Sequence, residues 1–301
     1  MNYKMTLAFY LGSLLLLSGC KLGTTNKGQF DLQGHRGARG EAPENTLPAI
    51  TQGLRSGVHT LELDLALSSD TAPLLSHDPW IHPRLCLDSS GADLADTTRI
   101  PFSQLTLREI QRYDCGSLTH PDFPGQKSEP AAKPALLEAI LHAEENALLL
   151  NRDPPRYNLE IKSKEAWDGK YYPSIEIFVD QVLKEVRKAK TFERTTLQSF
   201  DLRVLRYAHR EYPDLKLSLL AGPQSPPVEK LLEKLEFLPD VYSPHQDRPL
   251  TKQKIKALQT QGLKVIPWTV NEITRAQELS RRGVDGLITD FPGRLVSALG
   301  V

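Results

Sequence analysis

From Asp31 onward, short runs of leucine and β-branched residues alternate with segments whose apolar residues recur every three or four positions, the pattern of a parallel α/β sheet. The runs predict strands over Asp31–His35, Thr60–Leu67, Pro73–His77, Tyr157–Lys162, Thr195–Ser199, Leu215–Ala221, Asp240–Ser243, Lys264–Thr269 and Gly286–Thr289. Helical spacing covers Asn45–Ser56, Pro134–Asn146, Ser174–Lys190, Leu202–Glu211, Val228–Leu235, Lys252–Gln261 and Asn271–Arg282. Only Ser68 to Ala72 separate the second and third runs, whereas a parallel crossover needs about a dozen residues. The third run is therefore expected to double back as a hairpin partner, leaving eight strands to close as a TIM-type (β/α)8 barrel.

Pro79 to Lys133 breaks this rhythm, being rich in Pro, Asp, Ser and Gly with one amphipathic stretch at Leu105–Arg112, and reads as an insertion over the barrel mouth. The beginning of the chain breaks it differently. Residues 1–20 carry Lys4 and then an apolar run from Met5 to Leu17, too short for a membrane span of about 20 residues and built like a secretory signal. Its ending, Leu17-Ser18-Gly19-Cys20, resembles the bacterial lipobox, in which the Cys becomes the lipid-bearing first residue of the mature chain. The expected division is a signal peptide over 1–19, a tether over 20–30 and a barrel domain over 31–301 containing the 79–133 insertion. The protein is then held in the bacterial cell envelope by a lipid on Cys20, at the outer membrane facing the periplasm in a Gram-negative cell.

Composition narrows the function classes. The 37 Lys and Arg balance 37 Asp and Glu, so no net positive field is available for nucleic acid. Three cysteines are an odd number, and lipidation of Cys20 leaves Cys86 and Cys115 as an even pair in an oxidising compartment. They are either a disulfide within the insertion or two buried thiols.

Barrel enzymes work at the C-terminal ends of their strands. There the first strand ends in His35-Arg36-Gly37 and the hairpin strand in His77-Asp78. Glu62 and Asp64, like Glu160 and Lys162, are spaced i, i+2 and so share one face of their strands. Acids facing into a barrel are costly unless paired or bound to a cation. The three carboxylates read either as an oxygen-only site for a hard divalent cation, Ca²⁺ ahead of Mg²⁺, or as an internal salt-bridge cluster with Arg36 and Lys162. The two histidines suit general acid and base roles. Of the other histidines, His59 precedes its strand at the non-functional end, His245 faces the functional rim, and His82 and His120 lie in the insertion where they could line an entrance. Phe200 divides between packing and pocket lining.

The string HRGARGEAPENTLPAI, followed in order by LELDLALSSDTAPLLSHD, NLEIK, PWTVNE and GVDGLITDFP, resembles the glycerophosphodiester phosphodiesterases of the phospholipase-C-like barrel group over about Gln33 to Pro292. The resemblance implies His35 and His77 as catalytic residues and Glu62, Asp64 and Glu160 as metal ligands. It also implies Arg36 and Lys162 as cations near the phosphate, Glu44 and Asn45 as supports in the first loop, and Trp268 as an aromatic lining the pocket. The implied activity is metal-dependent hydrolysis of a small glycerophosphodiester to sn-glycerol 3-phosphate and an alcohol, by way of a cyclic phosphate. Action on lysophospholipids in phospholipase D style, or on phosphodiester polymers, would use the same residues. A lipoprotein that only binds such phosphates would need the cations but not the acid and base pair.

Overall fold

The computed structural model describes residues 30–301; the signal segment, Cys20 and the tether before Phe30 lie outside the described residues. The strands are β1 (Asp31–Gly34), β2 (Thr60–Leu67), β3 (Pro73–Leu75), β4 (Trp80–Ile81), β5 (Ile100–Pro101), β6 (Arg156–Ile161), β7 (Thr195–Ser199), β8 (Lys216–Ala221), β9 (Val241–Pro244), β10 (Lys264–Val265) and β11 (Gly286–Thr289). The helices are α1 (Leu47–Ser56), α2 (Leu107–Ile110), α3 (Leu136–Leu149), α4 (Ile175–Lys188), α5 (Leu202–Glu211), α6 (Val228–Leu235), α7 (Lys252–Thr260), α8 (Ile273–Arg282) and α9 (Pro292–Leu299).

Eight strands pair in parallel in the order β10-β9-β8-β7-β6-β2-β1-β11. The two ends of that order meet through main-chain bonds, Asp285 N to Val265 O (2.9 Å) and Ile288 N to Pro267 O (3.0 Å). The expected barrel is present, and β3 pairs antiparallel with the end of β2, Leu65 opposite Leu75, as the short connection demanded. The leucines of β2 at 61, 63, 65 and 67 pack in the main core with Ile140, Phe178 and Val182 of the surrounding helices. The intervening positions carry Glu62 and Asp64, so the period-2 pattern of one strand separates a hydrophobic wall from an acidic interior.

Three sequence expectations change. The seventh barrel strand is two residues long rather than Lys264–Thr269, because Pro244 of β9 has no N–H to give Ile266 O and Pro267 has none to give β11. Its continuation still lies beside β9, with Trp268 N donating to Pro244 O at 3.0 Å. The chain closes on α9, which the sequence reading missed despite Pro292 at its start and the apolar spacing of Leu295, Val296 and Leu299. The insertion is not shapeless: β4 and β5 form a small hairpin, Thr106 and Glu109 form a capping box on α2, and Cys86 is bonded to Cys115. Its own small core joins Ile81, Cys86, Phe102, Ile110 and Cys115 to Ala66 and Leu74 of the β2–β3 hairpin.

Candidate active site

The ends of β1, β2, β6, β7 and β11 frame a cavity of about 500 Å³ at the C-terminal end of the barrel. The register of β2 against β6 sets Asp64 beside Glu160 and Glu62 beside Asn158. Oxygens of Glu62, Asp64 and Glu160 lie within 4.8 Å of one another, and all three side chains are buried. Glu62 accepts from Gln198 Nε2 (2.7 Å) and from the main-chain N of Arg36 (3.0 Å). Asp64 Oδ2 accepts from Asn45 Nδ2 (2.9 Å) and sits 3.1 Å from Arg36 Nε. Lys162 Nζ donates to Glu160 Oε1 at 2.8 Å and stands 3.6 Å from Asp64 Oδ1.

Salt bridges do not complete this cluster. Arg36 is shared with Glu44, 2.8 Å from its Nη1, so among Lys and Arg side chains Glu62, Asp64 and Glu160 have only Lys162 and part of Arg36 within ion-pair distance. Burial, with Asp64 and Glu160 as like charges nearby, pushes the Glu62 carboxyl well above the usual range. Burial raises Glu160 to about 7 despite the Lys162 ammonium. Asp64 is the exception: burial alone would raise it, but Lys162 and Arg36 hold it low. Its buried Oδ1 nevertheless has no hydrogen-bond partner. An orphaned carboxylate oxygen beside two carboxyls that resist ionisation is a donor set one cation short, and an all-oxygen trio at this separation fits a hard divalent ion bound at about 2.3–2.6 Å.

His35 and His77 both open on the same cavity. A carboxylate can only accept, so His35 Nδ1 donates to Asp290 Oδ1 (2.5 Å), which turns Nε2 inward to 4.0 Å from Glu62. Asp290 is itself held by Asn271, whose Nδ2 donates to Oδ2 at 2.7 Å and whose Oδ1 accepts from the Asp290 main-chain N at 3.0 Å. Burial alone would raise the Asp290 carboxyl, but His35 and the Asn271 amide outweigh it and hold it below its usual range. On the hairpin side His77 Nδ1 donates to Asp78 Oδ1 (3.1 Å), the same arrangement in a more exposed setting. Burial and the nearby Arg36 guanidinium lower the His77 pKa against the pull of Asp78.

The loop joining β1 to α1 holds these parts in register. Arg36 and Asn45 both adopt left-handed backbone, at φ 51° and 54°. Gly37 lies between them in sequence at φ 87°, where a Cβ would come 2.7 Å from the Ala49 carbonyl carbon, so only glycine fits. Glu44 binds Arg36 on one side and Arg39 (2.6 Å) and His120 (3.3 Å) on the other. Burial would raise its pKa, yet Arg36 and these neighbours hold it well below the usual range. Arg36, expected beside a phosphate, lines the cavity with its guanidinium committed to Glu44 and Asp64.

Phe200 and Trp268 line the opposite wall, their rings edge to face at 5.5 Å. Phe200 is 41% exposed there, so it faces the pocket rather than the core. From the insertion only Trp80 reaches the cavity. His120 does not line the entrance; it is buried on Glu44. His82 lies 3.9 Å from Asp78, and His245 packs edge-on against Trp268 at 5.1 Å. His59 sits at the far end of the barrel, as its place before β2 implied.

Sequence reasoning missed Gln198, Asp290 and Asn271. The last two stand inside the motifs TDFP and TVNE, where a carboxylate and an amide at strand ends were the available signal. Gln198 sits in TTLQS, a strand with polar letters on either side of its one leucine, so nothing in the pattern singles it out.

A model of the glycerophosphoryl diester phosphodiesterase family matches residues 35–294. The chain belongs to this family. Among curated family members, a glycerophosphodiester phosphodiesterase of Caldanaerobacter subterraneus subsp. tengcongensis is 27% identical over 264 residues, covering 87% of this chain and 95% of that one. One of Bacillus altitudinis is 26% identical over 265 residues with the same coverage. Among solved structures, a Silicibacter pomeroyi DSS-3 protein assigned to the family superposes with a TM-score of 0.80 at 29% identity, covering 90% of this chain and 93% of that one. An Oleispira antarctica phosphodiesterase, solved with the product sn-glycerol-3-phosphate, shares the fold at a TM-score of 0.71 and 22% identity, covering 90% and 97%. The phosphodiesterase barrel thus accounts for nearly all of the described residues.

Proposed function

We propose that this phosphodiesterase hydrolyses small glycerophosphodiesters, such as glycerophosphocholine and glycerophosphoethanolamine, to sn-glycerol 3-phosphate and the free alcohol. His35 and His77 act as base and acid in that reaction. The observation that carries the proposal is the placing of two carboxylate-bound imidazoles, each with Nδ1 engaged, on one cavity with the acidic trio. Such a pair can move protons at both ends of a phosphodiester.

Glu62, Asp64 and Glu160 would hold the divalent cation, Ca²⁺ in preference to the more rigidly octahedral Mg²⁺, and when bound it supplies positive charge for the phosphoryl oxygens. His35 Nε2 removes the proton from the glycerol 2-hydroxyl, whose oxygen forms a bond to phosphorus as the bond to the leaving alcohol breaks. Asp290 keeps the His35 lone pair on Nε2 and stabilises the imidazolium that forms. His77 gives its proton to the departing alkoxide. Water then opens the cyclic phosphate, with His77 taking the water proton and His35 returning one to the 2-oxygen. Lys162 faces the anionic oxygens, while Arg36 and Asn45 fix Asp64 and Glu44 anchors the loop that carries them. Trp268 and Phe200 bound the space for the organic groups.

At the N-terminus, Cys20 carries the lipid that holds the barrel to the envelope membrane; the lipobox and the length of the apolar run support this. The substrate proposal is tested by incubating the enzyme with each diester, with and without chelator, and identifying the phosphorylated product. Release of sn-glycerol 3-phosphate, abolished by chelation, is expected; a phosphorylated head group as product, or no release, contradicts it.

A further inference from the structure

The cavity opens at one end of the barrel, and the most exposed run of apolar side chains lies at the other. Helix α3 runs back from the mouth and ends in Leu148 and Leu149, which are 78% and 75% exposed, followed by the exposed Leu150. Leu141, two turns earlier on the same face, is exposed as well. A helix end in water ordinarily carries polar or basic residues, so three consecutive bare leucines call for a surface that covers them. They lie at the base of the barrel, because the loop after them feeds directly into the start of β6.

That base is also where the tether enters. Phe30 leads into Asp31 at the start of β1, and Asp31 is bound at 2.8 Å by Arg156, the first residue of β6. Arg152, in the loop after the leucines, is tied to the main chain at Val58 (2.9 Å) and at Leu54. The leucine segment and the tether entry are therefore neighbours on one rigid rim. Ten residues separate Cys20 from Asp31, a reach of at most about 40 Å. Strand β2 alone, with its eight residues, is about 26 Å long. Bringing the mouth to the bilayer would require the tether to pass around a helix about 10 Å thick and along the tilted strands of the barrel, which uses most of that reach.

We propose that the barrel stands on the membrane base-down, with Leu148, Leu149 and Leu150 seated in the lipid interface and the active-site mouth directed into the aqueous phase. This rests on the lipid anchor proposed above and deepens the substrate reading. Substrates enter as water-soluble diesters, and lysophospholipids lying in the same bilayer do not reach His35 and His77. Most charge on the rim is balanced in place: Arg156 pairs with Asp31 and Arg194 with Glu144, Arg152 is spent on main-chain carbonyls, and Lys190, Lys216 and Lys264 stand against Asp153, Asp240 and Asp285. The seat is accordingly apolar and insensitive to salt.

The test uses the full lipidated chain in vesicles of phosphatidylethanolamine and phosphatidylglycerol with a quencher in the acyl chains. A fluorophore is attached in one variant at Leu149→Cys and in another at Asp247→Cys, an exposed position beyond β9 at the mouth. Quenching at position 149 that survives high salt, none at position 247, and turnover of added glycerophosphocholine but not of lysophospholipid placed in the vesicles are expected. Sedimentation with the vesicles but quenching at position 247, or at neither position, overturns the orientation alone. A chain that remains in the supernatant contradicts the lipid anchor and the orientation with it, while leaving the diester chemistry standing.

Discussion

The two sides of the cavity are made differently. One arc, from β11 through β1 and β2 to β6, is crowded with buried charge: Asp290, His35, Glu62, Asp64, Glu160 and Lys162, each fixed by one or more neighbours. The facing arc, from the end of β7 to the segment after β10, offers Phe200, Leu220 and Trp268 and makes almost no polar claim on the cavity. Charge buried at this density has to be positioned within tenths of an ångström to be tolerated, whereas an apolar wall needs only shape. The first arc is therefore built for chemistry, and the second for fit.

That contrast is open to a graded set of substitutions. His35→Ala and His77→Ala should each lower kcat by about 10²–10⁴-fold with metal binding retained in calorimetry; near-normal turnover by either would remove the acid and base assignment. Asp290→Asn should cost on the order of 10²-fold in kcat with little change in KM, since the ring remains but its tautomer is no longer fixed. Asn45→Ala, which frees Asp64, should weaken metal binding by about 10–100-fold, read from the concentration of metal that restores activity to the chelated enzyme. Across the cavity, Phe200→Ala and Trp268→Ala should change KM and the ranking of leaving groups by no more than about tenfold. A collapse of kcat in either would erase the division between the arcs. Reduction of Cys86–Cys115 should act least on catalysis, because neither sulfur lines the cavity. It should instead cost the insertion about 3–4 kcal/mol on the chain-entropy model, visible as earlier thermal unfolding with kcat unchanged below the transition.

Much of the charged arc was legible in the sequence, because i, i+2 acids in a buried strand and histidines at strand ends conflict with packing and so announce a purpose. What stayed hidden was partnership. Asp290 lies 255 positions from His35 and meets it only when the barrel closes β11 against β1, and Asn271 acts on the ring only through Asp290. Arg36 reads either as a cation near the phosphate or as a partner of the acids, and its tie to Glu44 as well as Asp64 shows only in the fold. The insertion was opaque for another reason: its order comes from one disulfide and a small shared core rather than from periodic elements. The short β10 shows how prolines on neighbouring strands, Pro244 and Pro267, end a ladder while the chain keeps its course.

The most direct measurement is release of sn-glycerol 3-phosphate from glycerophosphocholine by chelated enzyme as Ca²⁺ is titrated back, for the wild type and for Glu62→Gln in parallel. The wild type should regain full activity as one ion binds, and the variant should bind Ca²⁺ far more weakly and recover only a small fraction of the rate. Full activity in the chelated wild type, or equal recovery in the two proteins, would contradict a metal-assisted phosphodiesterase built on Glu62, Asp64 and Glu160.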